Sequence, residues 1–360
     1  MKNLRKEFPV LSHHTYLNTA YSGLLHTSLL DFRKRHDLDF YNKGGVFRER
    51  QQDDLSNVRK TISSFFGNSD TDVILIPNFS LGLKILLDGL DKNKKVLLLD
   101  GDYPSINTAV IGKGFEVCYA SINATLEQNI EKAVKKHLPD VFICSIVQYI
   151  SGIAIDLDFI KTLKTKYPDM LIIADGTQFC GTKVFDFKNS GIDILGGSGY
   201  KWLLSGYGNG FFLFNHGILD QITPLSYINM AAKADQNPSY TTLQARFECG
   251  HLDTLNFRSL QHSLDFISII GVATIENHLY ELCEYATKEL TKLHLLDSTV
   301  IKRPKHSSIL NLKGDHQLHQ YLKEHNITTS LRGQGIRISF HFYNTIDDIE
   351  KLLTALHRYC

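Results

Sequence analysis

The sequence predicts an α/β protein, with a large three-layer domain around a mainly parallel sheet and a smaller α+β domain at the C-terminal end. Three observations carry this expectation. From about residue 71, short apolar runs alternate with amphipathic stretches, the pattern of strands buried on both faces and of the helices that cross over them. After about Gln261 the alternation gives way to a long helical stretch, mixed strands and a final amphipathic helix. The 360 residues, 43% hydrophobic and 21% charged, match globular averages. No low-complexity tract, Gly/Ser linker or repeat interrupts them, so the domains share the chain without a flexible hinge.

The runs expected as strands are Val73 to Ile76, Val96 to Leu99, Val117 to Tyr119, Val141 to Val147, Leu171 to Ala174, Ile192 to Leu195 and Gly210 to Phe214. Between them, Ser80 to Leu90, Leu126 to Lys136 and Leu157 to Tyr167 place apolar residues three or four positions apart, as helices with one buried face do. Gln261 to Leu293 reads as continuous helix and Ile346 to His357 as the closing one.

Thirty-nine basic against 38 acidic residues leave a charge of +1, too little to draw nucleic acid or an acidic membrane by bulk electrostatics. A small-molecule partner is expected. The six cysteines include no C-x-x-C pair, so neither a zinc site nor a disulfide framework is predicted, which fits a reducing cytoplasm. The opening MKNLRKEFPVLSHHTYLNTA carries charges where a signal peptide is apolar, and no run approaches the roughly 18 apolar residues of a membrane span. A soluble, unexported protein without a metal is expected.

The chemistry concentrates in LIIADGTQFCGTKVFDFKNSGIDILGGSGYKWLLSGYGNGFFLF, Leu171 to Phe214. One apolar run ends in Asp175, at the carboxyl edge where open α/β sheets bind ligands. The next leads into Gly196-Gly197-Ser198-Gly199-Tyr200-Lys201. A lysine against an apolar wall can lose its proton and form a Schiff base, and a carboxylate can hold a pyridine nitrogen protonated; pyridoxal phosphate needs both. The glycines would let the backbone approach a phosphate, with Ser198 donating a hydroxyl. Singly, Asp175 as a helix cap and Lys201 as a solvated loop residue are the commoner fates; together those readings lose.

The string ADGTQ…SGYKW…GYGNGFF, with YLNTAYSG, IPNFSLGLKIL and LRGQGIRISFHFYNT in the same order, resembles the class V aminotransferase family of fold-type I pyridoxal phosphate enzymes, whose members include cysteine desulfurases and isopenicillin N epimerase-like proteins. The resemblance implies an N-terminal segment, residues 1–20, packing with the small domain; a large cofactor domain, residues 21–255; a small domain, residues 256–360; and a homodimer with its active site at the subunit interface. It makes Lys201 the Schiff-base lysine and proton shuttle, Asp175 the partner of the ring nitrogen and Gln178 a donor to the phenolic oxygen. Asn78, Phe79 and Ser80, where a strand gives way to a helix, would receive the phosphate with Ser198 and Tyr200. Tyr103 would stack on the ring, and Gln148 would lie near cofactor and substrate. Arg337 would clamp the substrate α-carboxylate, with Arg332, Asn18 and Ala20 lining the same pocket.

Three departures from the family pattern bear on function. Tyr200 stands where many relatives carry histidine. Glu248-Cys249-Gly250-His251 replaces a Glu-x-Gly-Thr pattern, so His251 or Thr254 would reach the neighbouring subunit's phosphate. Arg332-Gly333-Gln334-Gly335-Ile336, where desulfurases carry a mobile cysteine, has none; Cys249 and Cys360 read as a buried thiol and an inert tail. The expected reaction is therefore transamination from an amino acid to a 2-oxo acid, with phosphoserine, serine or alanine–glyoxylate type donors open. A lyase or epimerase of the same family is the alternative, and persulfide chemistry is disfavoured.

Overall fold

The computed structural model describes residues 2–67, 69, 72–215, 217–218, 221–224, 242–248, 250–303 and 306–359. Cys249 and Cys360 lie outside the described residues. A short strand β1 (Thr15–Tyr16) precedes seven that form one sheet: β2 (Val73–Ile76), β3 (Lys95–Asp100), β4 (Glu116–Ser121), β5 (Val141–Ser145), β6 (Leu171–Asp175), β7 (Ile194–Ser198) and β8 (Gly210–Phe214). Their spatial order is β2-β8-β7-β6-β5-β3-β4, and β8 alone among these seven runs antiparallel to both neighbours.

Every residue of β2, β5, β6, β7 and β8 is buried, because helices cover both faces. Alternate side chains feed two separate cores. Ile74, Leu98, Ile143 and Ile173 pack with the helices Phe79–Asp88 and Pro104–Gly112, while Leu75, Leu97, Phe142 and Ile172 pack with Gln51–Phe66, Leu126–His137 and Thr254–Ile270 on the other side. That alternation produces the three layers expected.

The smaller region holds β9 (Ile309–Lys313), β10 (Ile327–Thr328), β11 (Ser330–Arg332) and β12 (Gly335–Ser339). β11, β12 and β9 form an antiparallel sheet, and β10 pairs in parallel with β1. Arg5 adds an ion pair to Asp348 at 2.7 Å and a bond to the Tyr343 carbonyl. The N-terminal segment is thereby tied to residues more than 300 positions away.

The expected single stretch Gln261 to Leu293 is two helices, Thr254–Ile270 and Val272–Lys292, broken at Gly271 with φ +88°. The first starts early because Asp253 caps it, accepting from the Asn256 N–H at 2.9 Å. Two further helices, Thr27–Lys43, which buries only Leu29 and His36, and Pro104–Gly112, lack an apolar stripe that sequence reading would catch. Gln51–Phe66 has one, Leu55, Val58, Ile62 and Phe66 all buried, and adds to the expected helices. No helix among the described residues is long and apolar enough to cross a membrane.

Candidate active site

The carboxyl ends of the parallel strands converge on one edge of the large sheet. Ser145, Asp175 and Ser198 end β5, β6 and β7, while Asn78 and Tyr103 follow β2 and β3 within a few residues. Because β8 is reversed, its approach segment, Tyr207 and Gly208, arrives at that same edge. These residues enclose a cavity of about 330 Å³ together with Phe79, Ser80, Tyr149, Thr177, Gln178, Tyr200 and Lys201. A second chamber of about 470 Å³ shares Lys201, Tyr103, Tyr149, Tyr200 and Tyr207 with the first and adds Ala20, Tyr21, Arg332 and Arg337.

In the inner chamber, Asp175 takes the Thr177 N–H on Oδ1 at 2.8 Å, and its second oxygen has no hydrogen-bond donor among the described residues. Thr177 Oγ1 in turn accepts from the Ser198 N–H at 3.1 Å, joining the ends of β6 and β7. Lys201 is 6% exposed, its amine makes no hydrogen bond to a described residue, and Nζ lies 5.4 Å from the Tyr200 ring centre and 5.7 Å from that of Tyr103. Burial pushes its ammonium well below the usual lysine range, Asp175 opposes that, and Arg337 and Arg332 push it further down. Burial raises the Asp175 carboxyl, against the pull of Thr177 and Lys201.

The turn after β2 is a capped helix start. Asn78 Oδ1 accepts from the Leu81 N–H at 2.9 Å, and the Phe79 N–H is taken by Ser198 Oγ at 2.9 Å. The Ser80 N–H has no acceptor among the described residues, and its hydroxyl meets that of Ser105 at 2.9 Å. Ser198, expected to serve a phosphate, thus spends an acceptor on Phe79 and keeps its hydroxyl hydrogen. Gln178 donates to the Ala20 carbonyl at 3.0 Å and accepts from the Trp202 indole at 2.9 Å, leaving one amide hydrogen.

Two of the glycines have a packing reason of their own. A side chain at Gly196 would run into the Phe212 ring at 1.8 Å, and one at Gly199 into Ser205 Oγ at 2.1 Å and Asn209 Oδ1 at 2.2 Å. Both make room for the protein's own packing.

Arg337 is 2% exposed, donates from Nη1 to the Tyr149 carbonyl at 2.7 Å, and leaves Nε without a partner. Burial first, then the neighbouring Arg332, pull its pKa down to about 10. Arg332 sits half-buried over the Tyr21 ring.

Four expected residues line neither chamber. Gln148 spends its carbonyl oxygen on the N–H groups of Ile150 and Ser151, at 2.7 and 2.6 Å, and its neighbour Tyr149 faces the cavities instead. Asn18 accepts from the Ser330 hydroxyl, fastening the N-terminal segment, while Ala20 does line the outer chamber. His251 is exposed and bonded to Arg48 at 2.8 Å, and Thr254 bonds the buried His36 at 3.0 Å.

The family profile described as aminotransferase class-V matches residues 40–352. The chain belongs to the class-V aminotransferase family. Among relatives of this class-V protein, the uncharacterized aminotransferase YcbU of Bacillus subtilis (strain 168) is 21% identical over 98% of this chain and 96% of that one. A probable cysteine desulfurase of Ureaplasma parvum is 20% identical over 100% and 98%. Among solved structures, the cystine C-S lyase C-DES in complex with its product cysteine persulfide superposes with a TM-score of 0.84, at 20% identity and covering 97% and 98%. That likeness establishes the fold.

Class-V aminotransferases depend on pyridoxal 5′-phosphate, and the residues of this family member fit that cofactor. An open carboxylate oxygen on Asp175 suits a protonated ring nitrogen, the unpartnered Lys201 amine suits a carbonyl carbon, and the Ser80 N–H with the Ser80 and Ser198 hydroxyls suits a phosphate.

Several functional residues escaped sequence reading. Thr177, two positions after Asp175, orients the carboxylate. Asp102 is buried and accepts from the N–H groups of Tyr103 at 2.7 Å and Ser145 at 2.8 Å, fixing the loop that carries Tyr103 against β5. The aspartate in DGDYPS just after a strand was the available signal. Tyr21, Tyr149 and Tyr207 carried none among 16 tyrosines.

Proposed function

We propose that this class-V family member is an aminotransferase in activity, moving an amino group from an amino acid to a 2-oxo acid. The observation that carries the reading is the stretch Arg332 to Arg337. β11 and β12 pair directly, Arg332 opposite Gly335, so only Gly333 and Gln334 turn the hairpin. A turn this tight, with Gly333 at φ +61° and no cysteine, has no place for the mobile thiolate that sulfur transfer from cysteine needs. Cys118, Cys144, Cys180 and Cys283 are buried, and burial raises each thiol.

When bound, pyridoxal phosphate supplies a carbonyl that amines add to and a ring that takes up electrons. The chain supplies the rest. Asp175, fixed by Thr177, would hold a proton on the ring nitrogen through its open oxygen. Lys201 Nζ, whose proton burial and two arginines make easier to lose, would take the proton from the substrate's α-carbon and deliver it to the cofactor carbon that carried the carbonyl. Arg337 receives the α-carboxylate, and the tyrosines of the shared wall exclude water from the reacting atoms.

We place the enzyme in the cytoplasm as a homodimer with the active site at the subunit interface, His251 or Thr254 reaching the partner's phosphate. Exposed Leu30, Leu38, Phe40, Tyr41 and Val46 on and just after the helix Thr27–Lys43 support a covered face. The likeness to a C-S lyase favours one second reading, elimination of a β-substituent on the same scaffold. A half-reaction separates the two. L-Amino acids without any 2-oxo acid should yield one equivalent of oxo acid and the amine form of the cofactor. Multiple turnovers to pyruvate, or to the D-enantiomer, would replace transfer with elimination or epimerisation.

A further inference from the structure

The outer chamber carries more positive charge than one α-carboxylate can neutralise. Its wall contains Lys201, Arg332 and Arg337, and no Asp or Glu. Arg337 lies opposite Ser330 in the β11–β12 pairing, two positions from Arg332. In an antiparallel pair that diagonal puts both side chains on one face of the sheet, about 7–8 Å apart. Neither guanidinium has a carboxylate partner among the described residues: Arg337 bonds one carbonyl with Nε unpaired, and Arg332 bonds only the Leu331 carbonyl at 3.1 Å and covers the Tyr21 ring at 5.3 Å. Two cations held side by side without counter-ions repel each other, and a buried charge without a partner is costly. A ligand anion relieves that arrangement.

We infer that this site takes amino and 2-oxo acids bearing a second anionic group at the side-chain end, the α-carboxylate on Arg337 and the distal carboxylate or phosphate on Arg332. This rests on the reading of Arg337 as the α-carboxylate clamp. Lys201 is neutralised by its own covalent role, so the second anion belongs to Arg332. Its half-exposed position at the chamber wall, over Tyr21, suits a group at the far end of a substrate. Tyr21 and Tyr207, 51% and 63% exposed, put that end of the chamber at the protein surface.

The test separates binding from turnover. Titration calorimetry on the purified holoenzyme with glutarate and with butyrate, neither of which carries an amine, should show glutarate binding about tenfold tighter, the worth of one charge-assisted contact. Arg332→Gln should bring that ratio close to one, and Arg332→Lys should restore part of it, which separates loss of charge from loss of folding. L-Glutamate against O-phospho-L-serine, with L-glutamine and L-serine as neutral partners, shows whether the distal anion is carboxylate or phosphate. A glutarate preference below about threefold, or one that Arg332→Gln leaves intact, overturns the proposal, because both arginines then clamp a single carboxylate. Borohydride reduction and peptide mass analysis report independently on Lys201. Absence of a cofactor adduct there defeats the aminotransferase reading, whereas a labelled Lys201 with a flat glutarate ratio defeats this inference alone.

Discussion

The two chambers of the site are built in different ways. The inner one is made at strand ends within a continuous hydrogen-bonded sheet, so Asp175, Thr177 and Ser198 are fixed by backbone contacts between adjacent strands. The outer one is assembled from segments far apart in sequence: Ala20 and Tyr21 from the N-terminal segment, Tyr149 from a mid-chain turn, and Arg332 and Arg337 from a hairpin near the C-terminus. The inner chamber pairs opposite charges, Lys201 and Asp175; the outer one collects like charges. Rigid scaffolding with matched charge suits chemistry that is common to many substrates, and a composite wall with unmatched charge suits selection among them.

If that division holds, the largest effect comes from the inner chamber. Lys201→Ala should lower kcat by about 10⁴-fold or more, since both the covalent anchor and the proton shuttle go. It should also remove the visible absorbance of the lysine-linked cofactor. An unchanged spectrum would take Lys201 out of the role.

Arg337→Gln should act on the other term. Losing a desolvated, charge-assisted clamp raises KM for the amino donor by about 10- to 100-fold, while the visible absorbance of the lysine-linked cofactor persists because Arg337 lines only the outer chamber. A kcat collapse with unchanged KM would erase the distinction between the chambers.

The same contrast explains what could be read in advance. Asp175 and Lys201 follow apolar runs whose length and alternation mark strands, so their meeting at one edge is implied by the order of the elements. The reversal of β8 is not encoded in any local pattern; Gly210 to Phe214 reads the same in either direction, and so the entry of Tyr207 and Gly208 into the cavity was hidden. The glycines were visible but their packing role was not, because a glycine needed for a close ligand looks in sequence like one needed for Phe212 or Asn209. Gln148 was placed by resemblance, yet its acceptor is consumed by its own turn, a local hydrogen-bond choice that spacing does not show.

Asp102 tests how far the inner chamber depends on its supports. Asp102→Asn places an amide donor against one of two N–H groups, those of Tyr103 and Ser145, where only acceptors fit. A loss of about 1–3 kcal/mol in urea unfolding is expected. Asp102 also raises the Asp175 carboxyl, so the variant should move the pH dependence of the cofactor spectrum to lower pH. Lost stability with an unmoved spectrum would make Asp102 a structural residue only.

The boundary between the two constructions is sensitive to acid. The Trp202 indole bonds Gln178 in the inner chamber, and the Trp202 carbonyl accepts from His341 Nε2 at 2.9 Å, next to the small sheet. His341 Nδ1 accepts the Phe342 N–H at 2.9 Å, so both ring nitrogens are committed to one neutral tautomer. Burial lowers its pKa to about 3, and burial lowers that of His26, with help from His262, to about 4. Below the ordinary value of 6.5 the unfolded chain therefore binds protons that the folded chain refuses, and stability falls as pH drops from 6.5 toward those lower values. Between pH 7 and pH 5, His341 alone should cost about 2 kcal/mol. Urea unfolding at both pH values measures this, and His341→Gln, which cannot titrate, should show a pH-dependent loss smaller by about that amount. Equal losses in the two proteins would mean that acid enters elsewhere and that the join at Trp202 is held by packing rather than by the imidazole.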